Sequence, residues 1–309
     1  MVQAKFILFF SGLLVAASMH QVCLSTNDLS GTKSTIILVG CTPGDDYIKS
    51  VLSIAPDYTV DFIKWQITIY KNSASNFTLN IQYGESQPNT LGFKLGGSTK
   101  MIEGICTASD NPENDPGTIF HLKSNQLGHD LSLVRLNDNL FHILSAEQKL
   151  LVGNGGWSYT LNNTLPGGIN NFPSMKLLTE MDTSLTIIYE GRTPCQDFAQ
   201  EHHINVSQHC FKLKWKLILH RDPVSRQPST YELRKIVDNE PKQVTGKWIE
   251  IKDPAGQPDK TIYQLDPETP RTAISLLVAD ENLLFFLHKD HSPFVGNDNF
   301  SYTLNKRKK

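Results

Sequence analysis

The chain contains itself twice, and that constrains its fold more than any other feature. Trp157-Ser158-Tyr159-Thr160-Leu161-Asn162 returns as Phe300-Ser301-Tyr302-Thr303-Leu304-Asn305. Val152-Gly153-Asn154 precedes the first and Val295-Gly296-Asn297 the second. Asp138-Asn139-Leu140 matches Glu281-Asn282-Leu283, and Thr118 to Leu122 matches Thr261 to Leu265. Lys64-Trp65 matches Lys214-Trp215, and Thr42-Pro43 matches Thr193-Pro194. The order is the same in both halves, at an offset of about 143 to 151 residues. Six ordered matches identify an internal duplication.

Each copy reads as strands. Trp65 to Tyr70, Phe77 to Tyr83 and Trp215 to His220 alternate apolar with polar residues, the period of a half-buried strand. Leu283 to Leu287 is a short continuous apolar run, which predicts a strand covered on both faces. Only Asp45 to Ile54 and Gln196 to His203, after each Thr-Pro, have helical character, and both are short. Six to eight short strands per copy predict an all-β chain of two tandem small barrels, since closing a sheet removes its exposed edges. The Ser-Tyr-Thr-Leu-Asn strand is expected to return and pair with the first strand of its copy. The boundaries read 31–163 for the first barrel, 164–183 for a Pro/Gly/Asn linker, 184–305 for the second, and 306–309 for a solvated basic tail.

A length of 309 residues gives each copy enough chain for its own core. With 29 basic against 31 acidic residues, the net charge of -2 argues against nucleic acid as an obligatory partner. Met1 to Lys5 carries one positive charge, and Phe6 to Ala17 is an apolar run too short to span a bilayer. With Ala16 and Ser18 as small residues before a cut after Ser18, residues 1–18 read as a secretory signal peptide. Lipid anchoring at Cys23 is a variant, although His20 and Gln21 fit a lipobox poorly. No later run is long enough for a transmembrane span, so the expected location is periplasm, outer envelope or medium.

Export permits disulfides. The pairing expected is Cys195–Cys210 and Cys41–Cys106, although four cysteines allow three connectivities and buried free thiols remain an alternative.

Copy two runs Tyr189-Glu190-Gly191-Arg192-Thr193-Pro194-Cys195, an alternating strand, Gly246-Lys247-Trp248, then Ile262-Tyr263-Gln264-Leu265. This resembles the N-terminal domain of NlpE-type copper-resistance lipoproteins over about 115 residues, and copy one resembles it more faintly. The resemblance implies a lipocalin-like barrel in the bacterial envelope, with a role in copper homeostasis or envelope-stress sensing. The family places a second cysteine shortly after the first. Here Gln196, Asp197 and Phe198 follow Cys195, and copy one has Gly44 at that position. The family's metal pair is therefore missing.

The densest group of candidate ligands is Cys195, His202, His203, His209 and Cys210. His203 and His209 with one or both thiolates would suit copper or zinc, whereas a disulfide would leave only imidazoles. His220-Arg221-Asp222 spells a kinase tripeptide, but Pro223 makes Asp222 a turn residue and no phosphate loop is present. Asp45-Asp46 reads as a helix start, and His288 and His291 as exposed residues of a hairpin tip. Trp65, Trp215 and Trp248 read as core anchors, with the lining of a ligand cavity as the alternative.

No nucleophile elbow, zinc-protease motif or Walker loop occurs. The expected function is non-catalytic, with no resident cofactor. It is a binding or stress-sensing module for an unknown protein or small-molecule partner. The alternative is a carrier of a small apolar ligand or metal ion in a barrel cavity.

Overall fold

Alternation of side chains in the long strands of each copy, such as Leu213–Arg221, sets the architecture. A computed structural model describes residues 34–71, 75–110, 117–165, 184–237, 240–252, 260–269 and 272–307. The expected signal peptide and Cys23 lie outside these residues, as does most of the expected linker. Among the described residues no helix is long and apolar enough to cross a membrane.

The first copy is a closed antiparallel barrel of eight strands. They are β1 (Ser34–Pro43), β2 (Phe62–Lys71), β3 (Asn76–Gly84), β4 (Ser98–Asp110), β5 (Thr118–Lys123), β6 (Leu131–Arg135), β7 (Leu140–Ile143) and β8 (Thr160–Asn163). Each strand pairs with its sequence neighbour, and β8 returns to β1 through Val39 and Asn162. The second copy repeats this with β9 (Thr186–Thr193), β10 (Leu213–Arg221), β11 (Pro228–Val237), β12 (Glu240–Lys252), β13 (Thr261–Leu265), β14 (Ile274–Asp280), β15 (Leu283–Leu287) and β16 (Thr303–Lys306). There β16 closes on β9 through Asn305 and Glu190.

The predicted closing strand thus does return in both copies. Lys306 belongs to β16, and the Arg307 guanidinium sits 3.6 Å from the Glu190 carboxylate, so these two residues are not a free tail. The clustering of opposite charge at the closure draws them in.

One short helix follows the first strand of each copy, α1 (Asp46–Val51) and α2 (Gln196–Glu201). Asp45 caps α1 by accepting the Ile48 N–H at 2.9 Å, satisfying a donor that the helix start leaves open. Both interiors are packed with side chains. Trp65 lies in the first core and its indole N–H donates to Thr42 Oγ1 at 2.8 Å. Trp215 repeats this in the second core, donating to Thr193 Oγ1 at 2.9 Å. Trp248 is also buried and donates to the His220 carbonyl. All three tryptophans are core anchors.

The two barrels belong to one compact unit and share a third apolar cluster. It joins Ile119, Val134, Leu140 and Leu144 of the first barrel to Ile262, Leu277, Leu283 and Phe285 of the second. This explains the all-apolar run at β15, where every residue is buried. Leu284 and Phe286 point into their own barrel, and Leu283, Phe285 and Leu287 point at the neighbouring one.

Candidate functional site

The repeated Val-Gly-Asn and Ser-Tyr-Thr-Leu-Asn motifs lie where the barrels meet. The Gly153 N–H donates to Asn305 Oδ1 at 2.8 Å, and the Gly296 N–H donates to Asn162 Oδ1 at 2.8 Å. Each copy therefore caps the loop of the other, the reciprocity expected of a two-fold interface. A Cβ on Gly153 would sit 2.2 Å from the Trp157 carbonyl oxygen and 2.9 Å from Asn305 Oδ1, so only glycine fits there.

Between these caps the hydroxyls of Ser158 and Ser301 lie 2.6 Å apart. Ser301 donates to Thr303 at 3.0 Å, and Thr303 donates to Thr160 at 3.0 Å. Thr160 Oγ1 then meets His142 Nδ1 at 3.0 Å, and His142 Nε2 lies 2.8 Å from the Leu151 carbonyl. A neutral imidazole protonated on Nε2 completes this chain, because the carbonyl can only accept. Burial pushes the His142 pKa down to about 4.

At one end of the interface a cleft of about 330 Å³ opens between the barrels. Its first wall carries the aromatic rings of Phe62 and Trp157, with Phe93 buried behind Phe62. Phe93, Phe62 and Trp157 stack in sequence, with ring centroids 4.2 Å and 4.7 Å apart and planes within 14° and 8°. The Arg192 guanidinium of the second barrel lies over the Trp157 ring, 5.2 Å from its centroid. A stacked cation of this kind is held by the ring quadrupole. Lys212 and Lys214 stand beside Arg192 on the same side of the cleft.

The electrostatics of this wall are unbalanced. Lys214 is directly opposite Arg192 in the β9–β10 ladder, a like-charge pair that a sheet tolerates only at a cost. Burial foremost, together with the neighbouring Arg192 and Lys214 charges, lowers the pKa of Lys212 to about 8. Burial also lowers that of Arg192. Among the described residues none of the three cations forms an ion pair with a carboxylate. On the same cleft, Asn299 Oδ1 is buried without a hydrogen-bond partner.

The expected metal set is not assembled. Cys195 and Cys210 form a disulfide, with Cα atoms 5.9 Å apart, so neither offers a thiolate. His203 and His209 are exposed. Among the described residues no group of three or more His, Cys, Asp or Glu side chains is placed to hold a metal ion. The donor set does not fit copper.

The expected Cys41–Cys106 pairing is corrected as well, for both thiols are free. The register carries Cys41 through Lys64 and Gln82 to Thr99 on β4, seven residues short of Cys106. At about 3.3 Å per residue the two lie roughly 20 Å apart along the strands. Cys106 faces the first barrel's core, whereas Cys41 packs outside it against Phe62 and Phe93. No bridge spans that distance.

Asp222 does shape a turn, accepting from the Val224 and Ser225 N–H groups. His288 and His291 are half-buried rather than exposed, because His288 Nδ1 bonds the Glu201 carboxylate at the end of α2. Sequence reasoning missed the cleft altogether. Its signal was available as substitutions between the copies, since Arg192 stands where copy one has Cys41 and Lys212 where it has Phe62. Compared with family models, curated proteins and solved structures, the chain matches none.

Proposed function

We propose that the protein is a non-catalytic binding module, of the exported envelope kind that its NlpE-like motifs imply, and that its ligand is a small organic anion seated between the barrels. The observation that supports this most is the grouping of Arg192, Lys212 and Lys214 beside the Phe62–Trp157 stack without a carboxylate partner. Holding like charges together in a partly buried wall costs stability, and a bound anion offsets that cost. Binding sites generally combine an apolar wall with a few convergent polar groups, and this cleft has both. The carrier reading, with an apolar ligand inside a barrel, is less favoured because Trp65 and Trp215 sit among packed core side chains.

The test is calorimetric titration of the full chain with a panel of carboxylate, sulfate and phosphate compounds. Saturable binding of at least one member is expected, and Arg192→Gln combined with Lys212→Gln abolishes it while the thermal midpoint holds or rises. A panel with no binder, or binding indifferent to both substitutions, overturns the reading.

A further inference from the structure

We infer that the anion bears a carbonyl group and that Lys212 holds it as a reversible imine, so that the ligand is an aldehyde or keto acid. This rests on the binding reading above and names the class of its ligand.

Lys212 lacks what other partly buried lysines of the chain have. Lys49 Nζ donates to the Pro56 carbonyl at 2.7 Å, and Lys100 Nζ to the Leu52 carbonyl at 2.7 Å. Lys212 lines the cleft and, among the described residues, has no hydrogen-bond acceptor or carboxylate. Its Nζ lies instead 4.8 Å from the centroid of the exposed Phe211 ring, a contact that holds an ammonium only weakly.

The surroundings oppose its charge. Lys212 is half-buried, and Arg192 and Lys214 stand on the same wall of the cleft. Cys41, on the first barrel's side, is a buried thiol kept neutral, its pKa pushed up to about 12 by burial. Asp298 is the acid beside the cleft. Its carboxylate accepts from Asn299 Nδ2, and it lines a separate hollow with Lys64. With Asp298 counted, three cations still face one carboxylate. Burial foremost, and the two like charges after it, bring Lys212 from 10.5 to about 8.

The three cations therefore have different uses. Arg192 and Lys214 are counter-ions for a carboxylate. Lys212 is a poor counter-ion and a good nucleophile, because a desolvated amine beside another cation carries a free lone pair near neutral pH. A carboxylate drawn to this wall brings its adjacent carbonyl to the amine. The Nζ lone pair bonds to the carbonyl carbon, and the π electrons of the C=O bond move onto its oxygen. That oxygen takes both amine protons and leaves as water, and a C=N bond remains. Nothing is oxidised or reduced, and hydrolysis returns the ligand unchanged. The step is capture, not turnover, in keeping with a binding module. The cleft volume of about 330 Å³ suits a small acid.

The experiment uses the full chain with glyoxylate as probe and sodium cyanoborohydride to trap any imine, read by peptide mass mapping. Propionaldehyde tests the need for the carboxylate, and calorimetry with oxalate reports anion binding without imine chemistry. Lys235 is the internal control, since it is also partly buried and faces Lys242 across the β11–β12 ladder, yet does not line the cleft.

Trapping of glyoxylate at Lys212 is expected about ten-fold or more faster than at Lys235 or Lys214. Propionaldehyde should lose most of that preference. Lys212→Arg is expected to abolish the adduct while oxalate still binds and the thermal midpoint holds. Arg192→Gln should slow glyoxylate trapping and leave propionaldehyde unaffected. Oxalate binding with glyoxylate trapped no faster at Lys212 than at Lys235 overturns the inference and leaves the anion-binding reading standing. Equal preference for Lys212 by glyoxylate and propionaldehyde also overturns it, because the carboxylate then plays no part. Failure of oxalate, glyoxylate and every anion in the wider panel overturns both.

Discussion

The two barrels secure the same helix in different ways. In the second, Cys195 before α2 is bridged to Cys210, fifteen residues on. In the first, the equivalent positions hold Gly44 and Val60. A Cβ on Gly44 would lie 2.2 Å from Val60 Cγ1, so the valine fills the space that a side chain would need. One copy closes the segment covalently and the other by close packing. The interface motifs did not diverge in this way, because each asparagine cap serves the other copy's loop and a change on one side damages both. The copies thus keep the reciprocal asparagine caps in common and differ at the strand ends, where Cys41 and Phe62 face Arg192 and Lys212 across the cleft.

The sharpest difference inside the interface is His142, which stands where the second copy has Phe285. His142 is fully buried, and its pKa falls from 6.5 to about 4 because burial disfavours the charged ring. The unfolded chain therefore takes up a proton in a pH range where the folded one does not. The stability that His142 contributes is whole above about pH 6.5 and is lost as pH falls towards 4. The loss amounts to about 3 kcal/mol by linkage. Urea midpoints between pH 7.5 and 4 check this, with His142→Phe flattening the curve. An unchanged acid slope in that variant would show that another group carries it.

The disulfide gives the next largest effect. Closing a loop of this length is worth about 2 to 3 kcal/mol in the chain-entropy account. Reduction, or Cys195→Ser with Cys210→Ser, is expected to lower protection of α2 amides in hydrogen exchange and leave α1 unaffected. Equal loss at both helices would mean that the copies do not unfold locally as separate units.

The fold was legible because a barrel strand declares itself locally. Trp65 to Tyr70 and Trp215 to His220 alternate, and β15 is apolar throughout since barrel and interface cover its two faces. Cys195 and Cys210 were legible as a pair because only a short helix and loop separate them. Cys41 and Cys106 were not, since strand register decides which residues meet and nothing local reports it. The cleft was hidden for a related reason. Its cations lie on β9, just before β10 and within β10, its aromatic wall comes from the other copy, and no motif spacing links them. Only extending the alignment of the copies one residue back from Thr42 and Thr193 exposes the change from Cys41 to Arg192.

The smallest effect tests the two-fold character of the interface itself. Asn162 and Asn305 occupy equivalent positions and each accepts a glycine N–H of the other copy. Their amide nitrogens differ. Asn162 Nδ2 donates to the Asn297 carbonyl at 2.9 Å, whereas Asn305 Nδ2 is buried without a partner. Replacing either residue by alanine strands a glycine N–H, at a cost of about 1 to 3 kcal/mol. Asn162→Ala also strands the Asn297 carbonyl, while Asn305→Ala removes an amide that was already unmet. The first substitution should therefore cost about 1 kcal/mol more than the second in urea denaturation. A strictly symmetric interface would make the two losses equal. A larger loss at Asn305 would mean that its amide nitrogen contributes to stability, and the contrast between the caps would then have to be drawn the other way.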